Sequence, residues 1–300
     1  MAVDAQRLRV AVLGAGLIGL DLADKIRRSA TLELALVAGR DRDSLGLRRA
    51  AGMGHPTTAG GIRAVVEAGP FDVVFDASNA DSHAEHWAAL QPTGTTLIDL
   101  TPTDLGTVIV PGVTNHRPAD HRHLNLVSCG GQAAIPLLHA ISQRCSPTYI
   151  EVVSIGASAS AGQATRLNLD QYIATTAAAI RAFTGAQDAK VMVNLSPARP
   201  APPFRVAMTV LADSIRPAPV RTSIAAAAHA VRAYTPGFRV TSLVVDPGRI
   251  SVAVGCSVAG DPGGLERESS PPARGCSAVP AVEAAPALAL PPTRGIPCGV

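Results

Sequence analysis

Residues 126–136 read LVSCGGQAAIP. A cysteine there sits between a short apolar run and a stretch rich in Ala, Ile and Leu. The thiolate form of cysteine is a strong nucleophile. Backbone amides at a helix N-terminus lower a thiol's pKa and can hold an oxyanion, and the two glycines after Cys129 leave such amides open. The strand is predicted to end at Cys129 and the helix to begin near Gly131. Two readings are open for such a cysteine: a nucleophile delivered by the end of a strand, or a small buried hydrophobe. Taken alone, the stretch favours the second.

A further group lies near the N-terminus. Gly14, Gly16 and Gly19 form G-x-G-x-x-G between an apolar run, Leu8 to Leu13, and a stretch with helical spacing. In that context the first glycine makes the turn and the second lets backbone approach a pyrophosphate. The third lets the helix pack on the strand. The next apolar run, Leu32 to Gly39, ends at Arg40 and Asp41. A carboxylate there pairs with the ribose 2′-hydroxyl of NAD, whereas the neighbouring arginine leaves NADP open. A dinucleotide and a thiol on one sheet edge fit aldehyde oxidation through a thioester. The thiolate adds to the carbonyl, the thiohemiacetal passes hydride to a nicotinamide, and an acceptor takes the acyl group.

The elements that must position these groups follow from the apolar runs. Those at 71–78, 95–102, 107–112 and 124–129 continue the series, separated by helical or loop segments. Near-continuous apolar strands alternating with helices imply an α/β fold with a Rossmann-type, doubly wound parallel sheet over residues 1–145. Beyond it, longer β-rich runs at 149–158, 189–197, 204–212 and 238–246 flank helical stretches at 168–185 and 222–237. They predict an α+β dimerisation and substrate domain over 146–255. Residues 256–300 are proline-rich and read as disordered.

Composition excludes other classes. With 47% hydrophobic and 16% charged residues the chain is globular, and 300 residues suffice for two cores. The net charge of +3 comes from interspersed signs, which argues against a nucleic-acid partner. The chain has neither a signal-peptide pattern nor an apolar stretch of about 18 residues, so a membrane span is not expected and a cytoplasmic location is. Five irregularly spaced cysteines predict free thiols. No metal is expected: His55, His83, His86, His116, His121, His123, His139 and His229 lack ligand spacing and read as solvated or capping, with His121 and His123 on a loop. Asp76, Ser78 and Asn79 follow a strand at the carboxyl edge, where they can line a nicotinamide pocket, and Trp87 reads as core.

Six segments carry a resemblance: VAVLGAGLIGLDL, VVFDASNADSH, LIDLTP, LVSCGGQAAIP, SASAGQATRLNLDQY and TTAAAIRAFTGAQDAKVMVNLSPARPAPP. From about Arg7 to Val210 the chain resembles acylating acetaldehyde dehydrogenase, the partner of 4-hydroxy-2-oxovalerate aldolase in meta-cleavage catabolism of aromatics and sterols. The resemblance implies that Cys129 is the acyl-thioester nucleophile and that Gly14, Ala15, Gly16, Leu17, Ile18 and Gly19 form the cofactor turn. It makes Ser160, Ala161, Gly162, Gln163, Ala164, Thr165, Arg166, Leu167 and Asn168 a second cofactor-contacting loop. It further implies NAD as cofactor, coenzyme A as co-substrate, acetyl-CoA or propionyl-CoA as product, a homodimer, and an aldolase that channels the aldehyde.

The chain departs from the pattern at three places. Gln163 and Ala164 stand where the family loop has proline and glycine. Ala207 and Met208 stand where relatives carry an Arg-Asp pair whose carboxylate is a candidate for orienting the thiol. The ending A-G-N-L-D-I-M-T has no counterpart after Val254, and a shift of reading frame near Cys256 would account for this. Two alternatives accompany the acylating reading: a phosphate-dependent semialdehyde dehydrogenase, which needs basic groups such as Arg166 near the thiol, and a catalytically impaired, aldolase-binding relative.

Overall fold

The computed structural model describes residues 7–114 and 121–256. The reading of the tail and of His116 therefore lies outside the described residues. The N-terminal half contains β1 (Leu8–Leu13), α1 (Leu17–Arg27), β2 (Leu32–Ala38), α2 (Leu45–Gly52), β3 (Thr57–Thr58), α3 (Gly61–Ala68), β4 (Val73–Asp76), α4 (Ala80–Leu90), β5 (Thr96–Asp99), β6 (Thr107–Val108) and β7 (His123–Asn125). Seven parallel strands join in the order β3-β2-β1-β4-β5-β7-β6. β4 and β5 are buried at every residue, as the continuous apolar runs require. The order reverses between β1 and β4, and the crevice outside their carboxyl ends is where open α/β sheets take ligands.

α5 (Cys129–Ser142) follows, then β8 (Pro147–Ala157), α6 (Gln163–Leu167), α7 (Leu169–Thr184), β9 (Asp188–Ser196), β10 (Phe204–Ala212), α8 (Pro217–Tyr234), β11 (Phe238–Val245) and β12 (Arg249–Cys256). These strands form a mixed five-stranded sheet in the order β11-β12-β10-β8-β9. Ile135, Leu137, Leu138 and Ile141 of α5 share one core with Ile150 and Val152 of β8, Ile180 of α7 and Ile224 of α8. α5 thus runs from the end of the first sheet into the core of the second.

Several elements differ from the sequence reading. The run expected as a strand to Cys129 leaves the sheet after Asn125, where Val127 takes a left-handed φ of 57°. Cys129 is therefore the first residue of α5 and not the last of a strand. Its helix starts two residues earlier than predicted because Ser128 caps it, the Oγ accepting from Gly131 N at 3.0 Å. The run at 107–112 pairs only over Thr107–Val108. β12, not picked out from the sequence, fills the place between β11 and β10. Cys129 and Cys145 are free thiols, whereas Cys256 is disulfide-bonded, against the expectation for all five cysteines.

Candidate active site

The three glycines divide their tasks by what surrounds them. Gly14 follows β1 with φ of 106°, and a Cβ on it would lie 2.5 Å from Ala77 O, the backbone beyond β4. Only glycine fits that turn. A Cβ on Gly19 would lie 1.9 Å from Gly14 O, so α1 packs directly on the turn and Gly19 stays out of the cleft. Around Gly16 nothing lies within 4 Å of the Cβ position, and no side chain caps α1 behind it. The amides of that helix end therefore face open space, as a bound pyrophosphate requires.

This space belongs to a cleft of about 730 Å³ between the two sheets. Gly14, Ala15, Gly16, Leu17 and Ile18 line one side, with Arg40, Asp41, Ser44 and Arg63 beyond them. Asp41 is exposed beyond β2 and its Oδ1 accepts from Asp43 N at 2.9 Å. Buried Thr101 also lines the cleft, and its Oγ1 makes no hydrogen bond among the described residues, leaving a polar atom for a ligand. The open glycine turn and this unpartnered hydroxyl fit a nucleotide cofactor.

The second sheet contributes the opposite rim. Gly162, Gln163, Ala164, Thr165, Leu167 and Asn168 line the cleft, but as the start and body of the short helix α6 and not as an open loop. Ser160, Ala161 and Arg166 do not. A tight helical turn takes Ser160 and Ala161 away, and the Arg166 guanidinium folds back to Ser158 O at 2.7 Å, Ser158 Oγ at 2.9 Å and Ala161 O at 3.2 Å. Asn168 Nδ2 donates to Asn79 Oδ1 at 2.9 Å, tying this rim to the edge of the first sheet.

Cys129 lies where these surfaces meet and lines the cleft. Its Sγ is 3.6 Å from Tyr172 Oη, which accepts from Gly130 N at 3.1 Å and lies 3.3 Å from Ser154 Oγ. Burial pushes the thiol's pKa up, while the Tyr172 contact and the Gly130 and Cys129 amides oppose that. Gln132 of the C-G-G-Q run does no chemistry on the thiol. Its Nε2 donates to Ile109 O at 2.8 Å and Leu126 O at 2.6 Å, holding the start of α5 against the end of the first sheet. Met208, where the resemblance leads one to expect a carboxylate, lies in the core of the second sheet opposite Val152 and Val252.

The histidines correct the sequence reading most. His83 and His86, three apart on α4, are buried, and both direct Nδ1 to Asp76 Oδ2 at 2.7 Å. His123 is on β7, not a loop, stacked on Trp87 at 4.5 Å between ring centroids and 2.8 Å from His83 Nε2. Although burial alone would raise it, Asp76 is held well below the usual carboxylate range by bonds from His83 and His86. Its Oδ1 accepts from Ser78 N and Oγ, shaping the turn that lines the cleft. Donor atoms of Asp76, His83 and His86 lie within 4.8 Å of one another, a spacing a metal could bridge, yet their mutual hydrogen bonds already satisfy them.

A doubly wound sheet with an open glycine turn, and a helix-terminal thiol on the same cleft, give the architecture of an α/β protein suited to a nucleotide cofactor. A family model described as prokaryotic acetaldehyde dehydrogenase, dimerisation, matches residues 129–262. An acetaldehyde dehydrogenase of Streptomyces griseus subsp. griseus is 46% identical over 252 residues, covering 84% of this chain and 82% of the relative. Those of Roseiflexus castenholzii and Geobacillus stearothermophilus are 43% identical over 238 residues (78% and 77% covered) and 39% identical over 261 residues (85% and 88% covered). The chain belongs to the acetaldehyde dehydrogenase family, and with it to the oxidoreductases. No helix among the described residues is long and apolar enough to cross a membrane.

Proposed function

We propose that the protein oxidises acetaldehyde or propionaldehyde to the acyl-CoA, with NAD as hydride acceptor and Cys129 as nucleophile. The observation that carries this reading is that Cys129, at the N-terminus of α5, lines the same cleft as the turn from Gly14 to Ile18. The Cys129 thiolate adds to the aldehyde carbon at the positive end of the α5 dipole, which favours the charge of the thiohemiacetal oxygen, although Gly130 N and Gly131 N are themselves engaged by Tyr172 Oη and Ser128 Oγ. With its pyrophosphate held by the turn from Gly14 to Ile18, NAD would supply the hydride acceptor for the thiohemiacetal. The resulting thioester passes its acyl group to coenzyme A, whose thiol proton goes to water as the Cys129–acyl bond breaks and the Cys129 thiolate is regenerated.

Asp41 at the ribose end supports NAD over NADP. The phosphate-accepting alternative loses its candidate anion ligand, because the Arg166 guanidinium is bound to Ser158 and Ala161. Arg40 and Arg63 are the Lys or Arg side chains among the described cleft residues, and they lie with Asp41 beyond the glycine turn. The impaired-relative reading rests on the departing tail and on Met208, an apolar core residue in place of a carboxylate. A homodimer built on the second sheet, 4-hydroxy-2-oxovalerate aldolase as partner, a place in aromatic or sterol catabolism and a cytoplasmic location complete the proposal.

The deciding experiment follows NADH formation by purified protein with acetaldehyde and NAD, with and without coenzyme A. Coenzyme A-dependent NADH formation that Cys129→Ser abolishes without loss of fold is expected. Turnover with phosphate in place of coenzyme A would select the alternative acceptor, and no turnover with retained aldolase binding would select the impaired relative.

A further inference from the structure

The thiol needs a group that favours its ionised form, and the cleft offers few. The carboxylate that the resemblance places at position 208 is a methionine, 1% exposed in the core. The polar side chain at Cys129 Sγ is instead Tyr172, from α7, with its Oη at 3.6 Å. Gly130 N donates to that Oη, so the phenol's own proton points to Ser154 Oγ or to Cys129 Sγ. The pocket for the phenol is built by an absence: a Cβ on Gly130 would lie 2.1 Å from Ser154 Oγ and 2.5 Å from Tyr172 Oη. The first glycine of C-G-G-Q thus admits Tyr172 and Ser154 to the thiol.

We propose that Tyr172 is a catalytic residue that donates its hydroxyl proton in a hydrogen bond to the Cys129 thiolate, backed by Ser154. On ionisation Cys129 gives its proton to water in the cleft, and Tyr172 keeps its own. The phenol turns from Ser154 Oγ to Sγ, and the Ser154 hydroxyl reverses to donate to Tyr172 Oη. Oη then accepts from both Gly130 N and Ser154 Oγ while donating to sulfur, which uses all its capacity. Burial and the neighbouring Cys129 push the phenol's pKa far up, so Tyr172 serves as a donor and not as a base. The bond is strongest while sulfur carries charge and weakens once the S–C bond forms.

This rests on Cys129 being the nucleophile, and its test reads the thiol without aldehyde or coenzyme A. Alkylation of Cys129 by iodoacetamide is followed from pH 5 to 10 by the mass of its peptide, in wild type, Tyr172→Phe and Ser154→Ala. Tyr172→Phe is expected to slow alkylation near pH 7 by about tenfold and move the profile to higher pH, since the thiolate loses a charge-assisted hydrogen bond. Ser154→Ala, which keeps the phenol, should shift the profile in the same direction by less. A wild-type profile in Tyr172→Phe overturns the proposal, as does a shift in Ser154→Ala larger than in Tyr172→Phe. A shifted profile in an enzyme without coenzyme A-dependent turnover would uphold the role of Tyr172 while refuting the acylating function.

Discussion

Gly130 and Ser154 meet so closely that a methyl group on the first would overlap the hydroxyl of the second, at 2.1 Å. Ser154 is on β8 and is buried, so it cannot swing into solvent. Gly130→Ala should therefore cost about 1–3 kcal/mol through overpacking, although alanine is the better helix former. Gly131→Ala meets a Val127 methyl at 2.9 Å, a much milder overlap, and should cost less. Chemical denaturation of the two variants checks the order, and a Gly130→Ala at least as stable as Gly131→Ala would contradict it.

The glycine turn separates stability from binding. Gly14→Ala and Gly19→Ala drive a Cβ into backbone oxygens at 2.5 and 1.9 Å and should destabilise the fold, whereas the Cβ of Gly16→Ala enters empty cleft. Gly16→Ala is expected to keep its melting temperature within about 2–4 °C, the shift that roughly 1 kcal/mol gives in a chain of this size class, and to bind NAD at least tenfold more weakly. Calorimetric titration with NAD alongside thermal melts reads both. Undiminished NAD affinity would show that the pyrophosphate does not sit on this turn.

At the far end of the cleft Asp41 and Arg40 oppose each other in what they favour. Removing the carboxylate by Asp41→Ala should lower the NAD over NADP preference by at least tenfold, since repulsion of a 2′-phosphate goes with the lost hydroxyl partner. Arg40→Ala should raise that preference. Steady-state kcat/KM with each cofactor gives both ratios, and an Asp41→Ala with an unchanged ratio would remove Asp41 from the ribose site.

What the sequence made legible follows from how local each signal is. The strand-turn-helix around Gly14 and the second-sheet strand Phe204–Ala212 were readable because apolar runs and glycine spacing lie within one segment. Apolar spacing places the start of α5 two residues too late because its cap, Ser128 to Gly131, has no hydrophobic signature. Tyr172 carries no local signal, because α7 brings it to the thiol from 43 residues away. His83 and His86 carried a usable sign, three apart on one helix face with Asp76 at the preceding strand end. Their link to His123, 40 residues from His83, is purely tertiary.

That buried network gives stability a pH dependence. Burial lowers the pKa of His83, but the Asp76 hydrogen bond and the charges of Asp99 and Asp76 outweigh it and raise it above the ordinary 6.5. Facing it, His123 is lowered to about 4 by burial and by His83, so it is neutral and accepts from His83 Nε2. A histidine whose folded pKa is raised contributes stability in full below its unfolded pKa of about 6.5, and that contribution fades as pH rises through the folded value. Asp99, raised to about 6 chiefly by burial, acts in the same sense at lower pH, its contribution fading between about 4 and 6. His83→Gln should therefore melt below wild type by a margin that is largest near pH 6 and narrows toward pH 9, leaving only the pH-independent cost of lost packing and hydrogen bonds. Melting curves of both proteins across that range test this. A margin that is constant, or that widens with rising pH, would mean that His83 is held neutral and that His123 is the donor between them.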